Sequence, residues 1–99
     1  MDDRELLELA AKAAGIAVRW KEDGRSFQVV RGLPFTWNPL EDDGDALRLA
    51  VKLQLEIYID HRGVAVRTHC GLKTLEKKCD ATATRRAIVR AAAEIGRAM

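Results

Sequence analysis

The hydrophobic pattern of this 99-residue chain switches between a helical period and a strand period. Apolar side chains that recur every three to four positions predict amphipathic helices, whereas strict alternation with polar residues predicts half-buried strands. Helix-period segments lie at about 4–14, 44–53 and 81–98, and alternating segments lie at 17–20, 26–30, 55–60 and 64–68. The pattern therefore predicts an α+β fold with the element order α-β-β-α-β-β-α.

Polar residues at the helix ends support these boundaries. A carboxylate or hydroxyl just before a helix accepts hydrogen bonds from its first free N–H groups, and glycine tolerates the left-handed conformation that ends one. The candidate amino-terminal caps are Asp2 or Asp3, Asp42 or Asp43, and Asp80 or Thr82, and Gly15 is the candidate carboxyl-terminal cap of the first helix. In the second helix we expect Ala46, Leu47, Ala50, Val51 and Leu53 to be buried, and in the third Thr84, Ile88, Ala91, Ala92 and Ile95.

Two segments lack either period. Residues 31–40 contain Gly32, Pro34 and Pro39, and we expect a loop whose Leu33, Phe35 and Trp37 pack onto the core. Residues 70–80 are expected to form an irregular basic connection. The four predicted strands then make one mainly antiparallel four-stranded sheet, layered with the three helices. With no repeated motif and no linker, residues 1–99 are predicted to be a single domain.

Composition limits the cellular setting. Apolar residues make up 47% of the chain and charged residues 32%, which is typical of a soluble globular protein. No apolar run is long enough to cross a bilayer, and the start of the chain is acidic where a signal peptide would be basic. The two cysteines, Cys70 and Cys79, are too few for a secreted disulfide framework. The cytoplasm is the expected compartment, with no membrane partner.

The sequence contains no strong candidate for a catalytic or metal-binding group of residues. His61, His69, Cys70 and Cys79 have poor spacing for a zinc site, since adjacent residues on a strand point to opposite faces. The acidic run 41–45 fits helix capping better than cation binding. Ser26 is the only serine, and no glycine-rich phosphate loop is present. We therefore predict no enzyme activity, no catalytic or metal-binding residue and no cofactor.

Charge is distributed unevenly along the chain. Residues 1–60 carry twelve acids and eight bases, whereas residues 61–99 carry nine bases and three acids. This asymmetry favours an acidic partner or pairing between copies of the chain, unless the charges balance within the molecule. The candidate binding residues are Lys73, Lys77, Lys78, Arg85, Arg86, Arg90 and Arg97. Flexible cations of this kind also suit phosphate contacts, so nucleic-acid binding is the alternative to a protein partner.

Two stretches resemble small proteins encoded by phages and prophages. They are residues 37–53 (WNPLEDDGDALRLAVKL) and 83–93 (ATRRAIVRAAA). The layout resembles the phage ABA sandwich domain group and, more distantly, NinX-type phage proteins. The resemblance implies an antiparallel sheet between helical layers and assigns no activity, cofactor or catalytic residue. It implies an accessory protein of unknown function in the cytoplasm of a bacterial host, which we expect to act by binding a host or phage protein.

Overall fold

The computed structural model describes residues 1–99 and confirms an α+β fold with three helices. Its elements are α1 (Asp3–Ala14), β1 (Arg19–Trp20), β2 (Ser26–Val30), β3 (Leu33–Thr36), α2 (Asp43–Lys52), β4 (Glu56–Asp60), β5 (Gly63–Arg67), β6 (Lys73–Glu76) and α3 (Ala81–Arg97). Although no repeated motif was expected, an α-β-β-β succession occurs twice before α3 closes the chain. The molecule measures 41 × 26 × 24 Å. None of its helices has the length and apolar character needed to cross a membrane.

The prediction of one four-stranded sheet is wrong. The strands form two three-stranded antiparallel sheets, which we call sheet 1 (β1-β2-β3) and sheet 2 (β4-β5-β6). The two additional strands, β3 and β6, lie in the segments that were expected to be irregular. Each is a four-residue edge strand, so it pairs on one side only and needs no continuous apolar pattern.

Pro34 belongs to β3 because of its position in the ladder. The Trp37 N–H donates to the Ser26 carbonyl at 3.2 Å, and hydrogen-bonded pairs alternate along an antiparallel ladder. In the register of β2 and β3, Pro34 lies opposite Val29 in a pair that is not hydrogen-bonded. Its nitrogen therefore faces away from β2, where no donor is needed. Arg31 and Gly32, with φ values of 53° and 79°, form the two-residue turn between the strands.

Helix α3 is the centre of the core and packs against α1, α2 and sheet 2. Its predicted buried face is therefore too narrow, since Ala87, Val89 and Ala93 are also buried, while Thr84 and Ile95 are partly exposed. The Thr74 hydroxyl of β6 donates to the Ala87 carbonyl at 2.8 Å and joins sheet 2 to this helix.

The predicted buried face of helix α2 is confirmed for Ala46 and Ala50 and is wrong for Leu47 and Val51. Leu47 and Val51 are 60% and 69% exposed, whereas Leu49 and Asp45 are buried. The Asp45 carboxylate accepts hydrogen bonds from the Asn38 N–H at 2.9 Å and from the Arg48 guanidinium at 2.6 Å, so its burial leaves no unpaired charge. Helix α2 packs mainly against α3, so only a narrow face of α2 is buried and Leu47 and Val51 remain outside that face.

The expected packing of the 31–40 segment is confirmed only for Trp37, which is 3% exposed. Leu33 and Phe35 remain 59% and 50% exposed because β3 extends with β2 away from the helices. Trp37 is held at the base of the hairpin, where the Ser26 hydroxyl donates to its carbonyl at 2.6 Å. Only the base of sheet 1 therefore joins the core.

Candidate functional site

The hairpin formed by β2 and β3 exposes apolar side chains at its end. We call residues 29–35 the hairpin tip. Val30 and Leu33 flank the turn as a cross-strand pair, and Phe35 lies on the same face of the ribbon. Val30 is 42% exposed, Val29 is 44% exposed, and neither meets a helix. The hairpin tip is thus an apolar surface that the core leaves uncovered.

Sheet 2 has one covered face and one open face. Val64 and Val66 point toward α3 and are buried, whereas Tyr58, Ala65 and Leu75 form a cross-strand row on the opposite side. We call the outward side chains of 56–77 the outer face of sheet 2. Its members are Glu56, Tyr58, Asp60, Arg62, Ala65, Arg67, Lys73, Leu75 and Lys77. They surround a shallow concavity of about 730 Å³.

Ion pairs neutralise the carboxylates of this face. Arg67 donates to Glu56 at 2.8 Å and to the Tyr58 hydroxyl at 3.2 Å, and that hydroxyl donates in turn to Glu56. The Tyr58 hydroxyl and the Arg67 guanidinium therefore lower the pKa of Glu56. Arg62 pairs with Asp60 at 2.9 Å and lowers the pKa of that carboxyl. No carboxylate on this face is left to act as a base of raised pKa.

Three lysines beside this face have no carboxylate within ion-pair distance. Lys73 and Lys77 stand on either side of Leu75 along β6 and the residues that follow it, and Lys78 is next in the chain. Lys77 also lines a second concavity of about 710 Å³, together with Lys78 and Arg86. The structure therefore brings Lys73 and Lys77 together around one exposed leucine.

Each of the four candidate arginines of α3 makes an ion pair within the protein. Arg85 pairs with Asp43 at 2.6 Å, Arg86 with Asp3 at 3.2 Å, Arg90 with Glu76, and Arg97 with Glu94 at 3.3 Å. Arg85 was expected to be exposed, but its side chain is only 17% exposed because it also donates to the Leu40 carbonyl at 2.9 Å. Arg85, Arg86 and Arg90 thus connect α3 to other elements, Arg97 pairs within the helix, and the four do not form one free basic surface.

Residues considered for chemistry remain dispersed. His61 and His69 are exposed, and no group of three or more His, Cys, Asp or Glu side chains is placed to hold a metal ion. Asp42, in the acidic run, caps α2 by accepting the Asp45 N–H at 2.8 Å. Cys70 and Cys79 are exposed free thiols. The Thr68 hydroxyl lies 3.0 Å from Cys70 Sγ and lowers the pKa of that thiol.

Sequence reasoning missed Tyr58 and Leu75 as surface residues. Tyr58 occupies a polar position of the alternating segment 55–60, and Leu75 lies in the segment 70–80, for which the sequence predicts irregular structure. The alternation of Lys73, Leu75 and Lys77 was the available signal, since it is the outward half of a strand pattern. Comparison with models of protein families, with curated proteins and with solved structures finds no match to this chain. Function is therefore inferred from the surface chemistry of the chain itself.

Proposed function

We propose that this chain is a phage- or prophage-derived accessory protein that acts by binding a protein of the phage or its bacterial host, without catalysis. The observation that carries the proposal is the clustering of large exposed apolar side chains on both sheets. Leu33 and Phe35 lie on the hairpin tip, and Tyr58 and Leu75 lie on the outer face of sheet 2. Clustered apolar surface with a polar rim is typical of protein interaction sites. Phage origin rests on the resemblance of residues 37–53 and 83–93.

The absence of catalysis is supported by how the reactive side chains are used. The Ser26 hydroxyl is buried and donates to the Trp37 carbonyl, so it serves the fold. Catalytic pairs need a nucleophile and a base within hydrogen-bond reach of a common substrate position. His61 and His69 hold no such position, because neither makes a side-chain hydrogen bond or ion pair to a carboxylate or thiol. Binding is the function that this surface fits best.

Affinity capture tests the proposal. The tagged chain is incubated with a lysate of the bacterial host, and captured proteins are identified by quantitative mass spectrometry and then purified for calorimetry. We expect a saturable complex with the wild-type chain that is lost when Phe35→Asp and Leu75→Asp are combined. The matched control combines Leu47→Asp and Val51→Asp on α2, which are equally exposed, and should bind normally. Failure to form a saturable complex, or equal binding by both double variants, would contradict protein binding.

Nucleic-acid binding is the second candidate, and the unpaired Lys73, Lys77 and Lys78 favour it. Phosphate contacts release counterions. Each contact therefore makes the slope of log K against log salt concentration more negative by about 0.7 to 0.9. Titration with duplex DNA and single-stranded RNA from low to high salt separates this candidate from the first. Binding of either nucleic acid with a slope of log K against log salt concentration of about −2 or steeper would favour nucleic-acid binding. The absence of binding at low salt would exclude nucleic-acid binding.

A further inference from the structure

We infer that the outer face of sheet 2 docks a protein segment in which carboxylates flank one large apolar side chain. This inference rests on the proposed function and gives it a surface and a class of partner. The surface is the row of Tyr58, Ala65 and Leu75, with Lys73 and Lys77 beside it. Four properties of this face lead to that partner: its partly occupied edge, its shape, its residual charge and its single aromatic ring.

One backbone group at the edge of β6 is already occupied, which favours contact through the face over an added strand. The Thr68 N–H donates to the Leu72 carbonyl at 2.8 Å, so alternation along the ladder puts the carbonyl of Leu75 at the free edge. The Arg90 guanidinium donates to that carbonyl at 2.9 Å. An incoming strand would have to displace Arg90, which is also paired with Glu76. Side-chain docking on the face needs no such displacement.

The shape of the face suits one large apolar side chain. Tyr58 and Leu75 stand on the two outer strands and are 52% and 60% exposed, and the small Ala65 lies between them on the central strand. Neighbouring strands are about 4.8 Å apart, so the two large side chains are separated by about 10 Å. Ala65 is thus the floor of a notch within the concavity of about 730 Å³. A leucine or an aromatic side chain placed there would contact all three residues.

The residual charge of the face is positive. Arg67 neutralises Glu56, Arg62 neutralises Asp60, and Arg90 neutralises Glu76. Lys73 and Lys77 remain, one on each side of Leu75 and each about 7 Å from it along the strand direction. The complementary partner therefore carries carboxylates on both sides of its apolar residue. Such pairing sets the register of the docked segment and speeds its encounter with the face.

The same face is poorly suited to nucleic acid. Single-stranded chains are usually held by several aromatic rings that stack on bases and by a continuous cationic track. Tyr58 is the only aromatic residue here, and its hydroxyl is tied to Arg67 and Glu56, so the face offers no row of rings for stacking. Glu56 and Asp60 of β4 lie between the cations of this face, so no continuous cationic track crosses it. A carboxylate-flanked apolar segment avoids both obstacles because it needs only the notch and the two lysines.

Selection from a random library of displayed 12-residue peptides tests the inference. We expect the wild-type chain to enrich peptides with Asp or Glu on both sides of a leucine or an aromatic residue. Synthetic peptides from this set should lose affinity about tenfold or more with Leu75→Asp, and likewise with Lys73→Glu and Lys77→Glu combined. Lys73→Arg and Lys77→Arg combined should retain binding. The control, Leu47→Asp with Lys52→Glu on α2, should bind like the wild type, and circular dichroism should show that all variants are folded.

Several outcomes overturn the inference. They are a failure to enrich any peptide class, enrichment of peptides without acidic residues, and unchanged affinity in the Leu75→Asp variant. A 12-nucleotide single-stranded DNA or RNA that binds through Lys73 and Lys77 more tightly than the peptides would assign the face to nucleic acid. Concentration-dependent dimerisation that Leu75→Asp abolishes would assign it to a second copy. If the host protein captured by the wild type still binds Leu75→Asp, protein binding stands and only this surface is wrong.

Discussion

At the residue scale, the close approach of α1 and α3 depends on one glycine within a helix. A Cβ atom built on Gly96 of α3 would lie 2.0 Å from the Leu9 carbonyl oxygen of α1. Gly96 therefore allows the backbones of the two helices to touch. Ala10, Ala92 and Ala93, which are small and almost fully buried, keep that approach close along the interface. Glycine normally weakens a helix, so its presence here is explained by packing.

We expect Gly96→Ala to lower the free energy of unfolding by about 1–3 kcal/mol, because the new methyl group must push one backbone away from the other. Gly44→Ala in α2 is the matched control. Its Cβ would meet only the ends of the Arg48 and Asp42 side chains, at 3.2 Å, so we expect a change between zero and a gain of about 1 kcal/mol. Urea denaturation followed by circular dichroism measures both values. Equal stabilities would show that α1 and α3 are not in backbone contact.

The carboxyl of Glu56 is a second residue-scale test, because the Tyr58 hydroxyl and Arg67 lower its pKa. A carboxyl whose pKa is lowered in the folded state stabilises the fold above its unfolded pKa. That contribution is lost as the pH falls through the lowered value. We expect an NMR titration of the side-chain carboxyl to give a midpoint below that of an ordinary glutamate. Tyr58→Phe keeps the ring and should raise the midpoint, and an unchanged midpoint would exclude the hydroxyl as the main cause.

At the scale of elements, the basic residues of α3 attach the helix to its neighbours. Arg85 reaches the Leu40 carbonyl and Asp43 before and at the start of α2, and Arg86 reaches Asp3 at the start of α1. Both carboxylates lie in the first turn of a helix, where a negative charge interacts favourably with the positive end of the helix dipole. The arrangement puts the excess positive charge of the carboxyl-terminal third next to acids of the amino-terminal part. Much of the charge asymmetry is therefore balanced inside the molecule.

The difference between anchored and exposed arginines can be measured. Arg85→Ala removes a hydrogen bond from a guanidinium that is only 17% exposed, and we expect a loss of about 1.5–3 kcal/mol in the free energy of unfolding. Arg97 is 57% exposed and pairs with Glu94 within the same helix, so Arg97→Ala should cost less than about 0.5 kcal/mol. Thermal or urea denaturation of the two variants makes the comparison. A similar loss in both would mean that the contact with Leu40 contributes nothing.

At the scale of the whole molecule, two separate sheets share one core. The 18 buried apolar residues form a single cluster that draws on all three helices, on sheet 2 and on Trp37 beside sheet 1. Neither α-β-β-β unit contains a closed core of its own, because both depend on α3. The hairpin tip, in contrast, contributes nothing to the cluster.

Cooperative unfolding follows from this shared core. We expect the far-ultraviolet circular dichroism and the fluorescence of Trp37, in a Trp20→Phe background, to give coincident urea midpoints because one core serves both units. The Phe35→Ser variant of the hairpin tip should leave the free energy of unfolding unchanged to within about 0.5 kcal/mol, since its side chain is half exposed. Separate transitions for the two probes would show that sheet 1 unfolds independently.

The limits of sequence-based prediction are visible in particular residues. Alternation identified β4 and β5 because one face of β5 meets α3 and Ile57 of β4 packs against the core. The caps Asp2, Asp42 and Asp80 marked three helix starts. Pro34 made residues 33–36 resemble a loop in the sequence, because proline has no backbone N–H to donate. An edge strand accepts proline where its nitrogen faces away from the neighbouring strand. Leu75 could not be recognised as a surface residue while its strand was unassigned. Lys73, Lys77 and Lys78 were identified as cations, but their lack of partners depends on contacts between distant elements.

The amino-acid sequence alone determined the helices, their boundaries and the β4–β5 hairpin of sheet 2, because capping, turn chemistry and hydrophobic period act over a few neighbouring residues. Tertiary structure decided the division into two sheets, the pairing of the α3 arginines and the exposure of Phe35, Tyr58 and Leu75. These properties depend on which elements pack against one another. That packing is organised around α3 by contacts between residues far apart in the chain, and no local pattern encodes it.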